Sequence, residues 1–336
     1  MKTDTTSFRM SLTTIDGIRA VVISDDAIGT AATIALRGAT LLSWRVDLGD
    51  GPREFVDGYR NLQELDDQAG VRSGIMAPFT NRLRGGRYAF GGTEYDLGDA
   101  AIGSPRALLH GLLRDRPYAL VESIATDDSF MLRLRNHDLA DGDTPGYPFP
   151  VGVDVVYVIR RHSLDIDIVP TNFGEVPVPI TTGWHPYFTL GAPVDDLVLT
   201  VPAAVRVVTS DDLIPLDSDD AFHEIRVGEP LDFRDGKPVG NLEIDAFYTD
   251  LDADAEGLHR TTLANRTDGV TLEVWQERGS VHVYTADHLE RGARQSLAIE
   301  PVEAMTNAFN RPDQAHLVTL GPRQVRPFRF GASVRR

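Results

Sequence analysis

The chain has 336 residues, 50 acidic against 33 basic, for a formal net charge of −17, with 42% hydrophobic and 25% charged residues. That balance opposes non-specific attraction to nucleic acid or anionic lipid, both of which reward a basic face, and says little about a neutral substrate. Cysteine is absent, which excludes disulfides, thiolate metal sites, iron–sulfur clusters and cysteine nucleophiles. The first ten residues are polar and lack the apolar core of a signal peptide, and no apolar run approaches the ~18 residues of a membrane span. The expectation is a soluble cytoplasmic protein with no nucleic-acid or membrane partner.

Thirty glycines, 20 prolines and many Val, Ile and Thr runs favour short strands joined by turns over long helices. Residues 18–23 and pieces of 31–46 are strand-like, 47–60 read as turn, and 61–69 can hold one helical turn. In 74–97 the second half predicts a hairpin: Tyr88 and Phe90 on one strand, Gly91-Gly92 at the turn, Tyr95 and Leu97 returning. These glycines are no phosphate cradle, because neither dinucleotide nor Walker spacing exists and no helix follows. Asn81 and Arg82 precede the hairpin, with Arg84 and Arg87 nearby. Each arginine reads either as a ligand fork or as a solvated turn residue.

Leu109-His110-Gly111 places a histidine beside glycine after an apolar approach, while 126–129 and 137–150 are loop-like. Residues 152–159 and 163–169 predict a second hairpin, in which Leu164, Ile166 and Ile168 alternate with Asp165 and Asp167. The stretch Thr-Thr-Gly-Trp-His-Pro-Tyr-Phe-Thr-Leu at 181–190 is the most unusual in the chain. Gly183 and Pro186 bracket His185, so the backbone is expected to leave its strand there and present the imidazole at a rim. A histidine exchanges a proton near neutral pH. Trp184, Tyr187 and Phe188 offer flat faces of the kind on which a sugar ring rests, or alternatively are core aromatics at a strand end.

Beyond it, 197–208 is β-prone, 209–220 an acidic loop and 230–240 turn-rich. Single strands are expected at 261–277, 280–286 and 296–304, with the last at 321–330. No linker, repeat or low-complexity tract divides the chain, so residues 1–336 are read as one all-β domain, a large antiparallel twisted β-sandwich.

Taken together, these stretches resemble the aldose 1-epimerase (galactose mutarotase) family over nearly the whole chain. The resemblance is carried by Asn81-Arg82 with the glycine-rich hairpin, Leu109-His110-Gly111, and His185-Pro186-Tyr187-Phe188-Thr189-Leu190. It is carried further by Asp245 before Ala246-Phe247, by His282-Val283-Tyr284-Thr285, and by Glu300 with 307–310. The resemblance implies a sugar bound across a concave sheet face, with Glu300 taking the proton of the anomeric hydroxyl and His185 giving one to the ring oxygen. It implies that Asn81, Arg82, His110, Asp245 and His282 hold the sugar, with neither cofactor nor metal. A small-molecule aldohexose is the expected partner, and the chain a monomer or homodimer. Taken singly, Glu300 reads as a strand-end carboxylate, Asp245 as a turn cap and His110 as a satisfied corner histidine.

Three departures stand out. His282 occupies a place where the family often has glutamine, Thr189 replaces a common asparagine, and His110-Gly111 continues into Leu-Leu-Arg-Asp. Glu303, three residues after Glu300, is expected on the opposite strand face. Rival readings are a hexose-phosphate epimerase using Arg82, Arg84 and Arg87, a glycosidase using Asp245 and Glu300, and a binding protein without catalysis.

Overall fold

The structure is a computed structural model that describes residues 7–98 and 109–336. Two large sheets organise it. One has nine strands in the order Lys237–Pro238, Val198–Thr200, His259–Asn265, Val270–Gln276, Phe328–Arg335, Ser163–Asn172, Val151–Arg160, Ser129–Leu139, Ala119–Ala125. The other runs Phe222–Glu224, Ala203–Val207, Asp245–Leu251, Ser280–Tyr284, Leu297–Val302, Gly183–His185, Gly74–Met76, with Tyr187–Phe188 paired beside Leu297–Val302. Both are antiparallel sheets. A five-stranded sheet from Arg9–Ile15 to Pro52–Glu54 adds a third layer element. The fold is the all-β antiparallel sandwich expected from the sequence.

Period-two patterning explains why these segments form strands. In Ser163–Asn172 every second residue is buried, and Leu164, Ile166 and Ile168 face the core while the aspartates face outward. One apolar cluster gathers residues from Phe8 to Val334, including both sheets' inner faces. Trp184 of one sheet stacks on Phe330 of the other, ring centroids 5.7 Å apart at 20°. The glycine-turn hairpin forms as expected, with Tyr88 opposite Tyr95 and their rings stacked at 5.1 Å. Asn61 caps the helical turn Leu62–Asp66, its side chain accepting from the Glu64 N–H at 3.0 Å. Among the described residues no helix is long and apolar enough to cross a membrane.

Several expected elements shift. The last strand is Phe328–Arg335, not 321–330, because Pro327 cannot donate to the ladder and pairing starts after it. The segment 261–277 is two strands, His259–Asn265 and Val270–Gln276, folded about Gly269 at φ 76°. Within 47–60 a short strand, Pro52–Glu54, pairs with Leu41–Asp47. The pair Ala119–Ala125 and Ser129–Leu139 fills a region for which the sequence reading names only the loops 126–129 and 137–150.

Candidate active site

Register builds the site. On the eight-stranded sheet Phe247 is opposite His282, and His282 is opposite Glu300. Gly183 is opposite Val302, and continuing that ladder by two residues brings His185 opposite Glu300. Directly opposed residues share a face, so His185, Glu300, His282 and Phe247 form one row across four strands. Asp245, two residues before Phe247, lies on the same face. Along Leu297–Val302 the faces separate cleanly. Leu297 and Ile299 join the main core. Ala298 and Val302 flank Glu300 in two small apolar clusters, one with Tyr187, the other with Phe247 and Met305.

His185 and Glu300 meet, Nε2 to Oε1 at 3.3 Å, with side chains 8% and 3% exposed. Next to them His282 Nε2 bonds Asp245 Oδ1 at 2.7 Å. His110 stands edge-on to His185, ring centroids 5.0 Å apart, and the Tyr187 ring is tilted 30° to His185 at 5.1 Å. These groups line a pocket of 340 Å³, together with Asn81, Arg82, Phe247, Tyr284, Leu289 and Thr306.

The loop carrying His110 is held by backbone contacts that only glycine permits. Gly111 bridges Ala77, and its φ of +79° is in the left-handed region. A Cβ there would lie 2.1 Å from the Ala77 carbonyl oxygen. The His110 N–H donates to the Asn81 carbonyl at 2.8 Å. His110 Nδ1 lies 2.9 Å from Met76 Sδ. A thioether only accepts, so the proton sits on Nδ1 and Nε2 is left as an acceptor. Arg82 is anchored through its carbonyl, which accepts from the Asn307 N–H at 2.8 Å.

Burial dominates the electrostatics. It pushes the Glu300 carboxyl up to about 8, with His282 pulling it down and Asp245 pushing it further up. Burial pushes His185 down to about 3, and His282 adds to that. The two groups touch and titrate as a pair. Both shifts favour the form with carboxylic acid and neutral imidazole over the imidazolium–carboxylate form. The proton count is the same in both forms, so one transfer across the gap interconverts them. For His282, burial opposes charge, but Glu300 and the bonded Asp245 outweigh it and raise the imidazole above the ordinary histidine value. Burial pushes Asp245 upward, yet the bond to His282 leads a set of cations that holds it below the ordinary carboxylate range. The 2.7 Å contact of His282 with Asp245 thus favours the charged form of both. His110 is kept neutral by burial and then by His185 and Arg114.

A family model described as aldose 1-epimerase matches residues 19–329. The chain belongs to the aldose 1-epimerase family. An Escherichia coli K12 protein described as uncharacterized protein YihR is 28% identical over 238 residues, 70% of this chain and 71% of that one. The aldose 1-epimerase of Escherichia coli K12 is 27% identical over 267 residues, 76% of this chain and 73% of the relative. The solved structure of galactose 1-epimerase from Lactobacillus acidophilus superposes with a TM-score of 0.79 at 17% identity, covering 98% of this chain and 99% of that one. This is an enzyme family of the epimerase kind, and the chain has its fold from end to end.

The structure brings Asn81, Arg82, His110, His185, Asp245, His282 and Glu300 to this one pocket of an aldose 1-epimerase fold. It separates others. Trp184 and Phe188 are fully buried in the core, so of the three aromatics only Tyr187 lines the pocket. The strand Gly183–His185 ends at His185 with Pro186 outside it, as expected, but the imidazole stands on the sheet face; Gly183 opens the strand, where a Cβ would come 2.8 Å from Val302 Cγ1. Arg84 and Arg87 turn to an adjacent cleft and pair with Asp217 at 3.4 Å and Asp96 at 2.8 Å. Glu303 is buried on the far side, accepting from Thr182 N–H and Oγ1 at 2.8 Å and from Arg278 at 2.7 Å. His288 lines the same pocket and pairs with Glu243 at 2.9 Å, and Asp287 pairs with Arg294 at 2.6 Å. Sequence reasoning missed Arg72, whose guanidinium lies 5.2 Å over the Tyr187 ring and is tied to Asp57. Nothing in the surrounding Val-Arg-Ser-Gly pattern marks it.

Proposed function

We propose that this chain interconverts the α and β anomers of a free aldohexose, with Glu300 and His185 exchanging protons with O1 and the ring oxygen. The observation that carries the reading is the His185–Glu300 contact of 3.3 Å, nearly dry and set in a sugar-sized pocket. Ring opening requires one group to take the proton of the C1 hydroxyl while another gives a proton to O5. The O1 proton passes to Glu300 in its carboxylate form, the C1–O5 bond breaks, and O5 takes the proton from the His185 imidazolium. The free aldehyde forms, the C1–C2 bond rotates, and the reverse transfers close the ring on the other face. A pair that shares one proton can begin the cycle from either partner, and each positioned transfer contributes about 10²–10⁴ in rate.

The surrounding residues fit a polyhydroxyl ligand. Asn81, Arg82, His110 and Asp245 offer both donors and acceptors, and Tyr187, Phe247 and Tyr284 offer apolar walls. Among the described residues Arg82 is the one arginine lining the pocket, which favours a neutral sugar over a phosphorylated one, since phosphate recognition calls for converging arginine forks. A glycosidase reading would leave His185 without a task.

The test is polarimetry or one-dimensional NMR of freshly dissolved α-D-glucose and α-D-galactose with catalytic amounts of protein. Accelerated approach to anomeric equilibrium supports the assignment, and the ratio of rates begins to define the sugar. No acceleration with either, nor with other free aldohexoses, would defeat it in favour of a phosphorylated substrate or binding alone.

A further inference from the structure

His282 stands where its charge bears on the base. It is the direct cross-strand partner of Glu300, and both side chains point to the pocket face. Opposed side chains on one face of an antiparallel pair begin only ~5 Å apart at their Cβ atoms. Glu300 is 2% exposed, so an ionised carboxylate there depends on nearby positive charge in place of water. His185 cannot supply that charge while it is neutral. His282 can, because its Nε2 is fixed 2.7 Å from Asp245 Oδ1. A carboxylate bonded to an imidazole favours its protonated form and fixes its orientation.

We propose that His282 is a charge-setting and positioning residue for Glu300: an imidazole anchored by Asp245 whose protonated form lowers the cost of ionising the opposite carboxylate, so that it can accept the O1 proton. The proposal rests on the mutarotase reading for its catalytic meaning, but the coupling it asserts does not depend on turnover. Facing His282 are Glu300 from Leu297–Val302, Asp245 from Asp245–Leu251, Arg82 from the loop before the glycine hairpin, and His185 from Gly183–His185. The two carboxylates favour its charge, whereas Arg82 and a charged His185 oppose it. Asp245 thereby serves Glu300 through His282, in addition to any contact with a sugar hydroxyl.

The sign of the effect is fixed. Removing the cation makes Glu300 harder to ionise, so the acid limb of the kcat/KM profile moves to higher pH. Glutamine at 282 retains an amide donor for Asp245 but carries no charge. The His282→Gln variant is therefore compared with wild type by polarimetry from about pH 5 to about pH 10. The expected result is an acid limb displaced upward by about one unit or more, so that the fold-loss on the acid side exceeds that on the alkaline side at least ~10-fold. An equal fold-loss at every pH would overturn the proposal and leave His282 as a ligand or structural residue.

A second measurement needs no substrate. Histidine Cε1–H signals are titrated by NMR in wild type and in Glu300→Gln. Linkage requires the coupling to be reciprocal, so the His282 midpoint should fall by about one unit when Glu300 is neutralised. An unchanged midpoint would overturn the coupling, whatever the assays show. Absence of turnover in the wild type, with the His282 midpoint still shifted, would defeat the mutarotase reading alone.

Discussion

Replacing Glu300 by glutamine is expected to stabilise the protein in alkaline solution while abolishing its chemistry. The folded carboxyl ionises at about 8, against 4.5 for an ordinary glutamate, because burial withholds solvent from the charge. The folded protein therefore keeps a proton that the unfolded chain has already released. The associated stability is fully present below the unfolded value and is lost as pH rises through the folded one, at about 1.4 kcal/mol per pH unit. Above about pH 6.5 the folded His185 is already neutral and the unfolded one becomes so, an opposing gain of only about 0.4 kcal/mol that leaves Glu300 the larger contribution. Integrating from there to about pH 9 gives a loss of about 2 kcal/mol, and the full shift sets a ceiling of about 5 kcal/mol on the cost of the ionised side chain. His282, raised in the folded state, has the same sign and is weakened by the same substitution. The assay is urea denaturation of wild type and Glu300→Gln across that range. The wild-type curve should decline with pH and the variant's should be flatter, leaving the variant the more stable at the alkaline end. Parallel curves, or a variant less stable throughout, would refute the account of Glu300 as a carboxylate destabilised by burial. The same samples should lose mutarotation by about 10²-fold or more.

Three further outcomes follow from the geometry. His185→Asn should lower kcat by about 10²–10⁴ with little change in KM, measured by polarimetry; a rise in KM alone would recast His185 as a sugar ligand. Trp184→Ala should cost about 3–5 kcal/mol of folding stability by thermal or urea melts, since the ring is fully buried against Phe330 and Phe188, and sugar affinity of the folded fraction should be nearly unchanged. Gly111→Ala should destabilise by about 1–3 kcal/mol and lower activity by displacing His110, because the added Cβ meets the Ala77 carbonyl at 2.1 Å; wild-type melting and turnover would contradict the argument.

The parts of the fold legible in the sequence are those whose pattern is local. Gly91-Gly92 fixed one hairpin, and the alternation of Leu164, Ile166 and Ile168 fixed one strand. Two of the strands missed have a weak pattern for a physical reason. Arg9–Ile15 and Ala119–Ala125 sit at sheet edges and are exposed along their whole length, so burial imposes no period on them. The turn at Gly269 was readable from Asp268-Gly269 but was absorbed into a longer strand. Trp184 was legible too: adjacent residues of a strand point to opposite faces, so His185 in a pocket obliges Trp184 to enter the core.

The site itself divides differently. Residue types and their order singled out His185, Glu300 and their neighbours, yet their row depends on the pairing of strands that begin at Gly183, Asp245, Ser280 and Leu297. No local signal encodes that register. Charge state is one step further from the sequence. Glutamate and histidine suggest an ion pair when read as types, but burial pushes both toward their neutral forms, while the contact between Asp245 and His282 favours the charged forms of that neighbouring pair. The base must then draw its ionised form from that neighbouring pair. The glutamine-to-histidine departure at position 282, which in the sequence was only an irregularity, thus acquires a physical task on the face opposite Glu300.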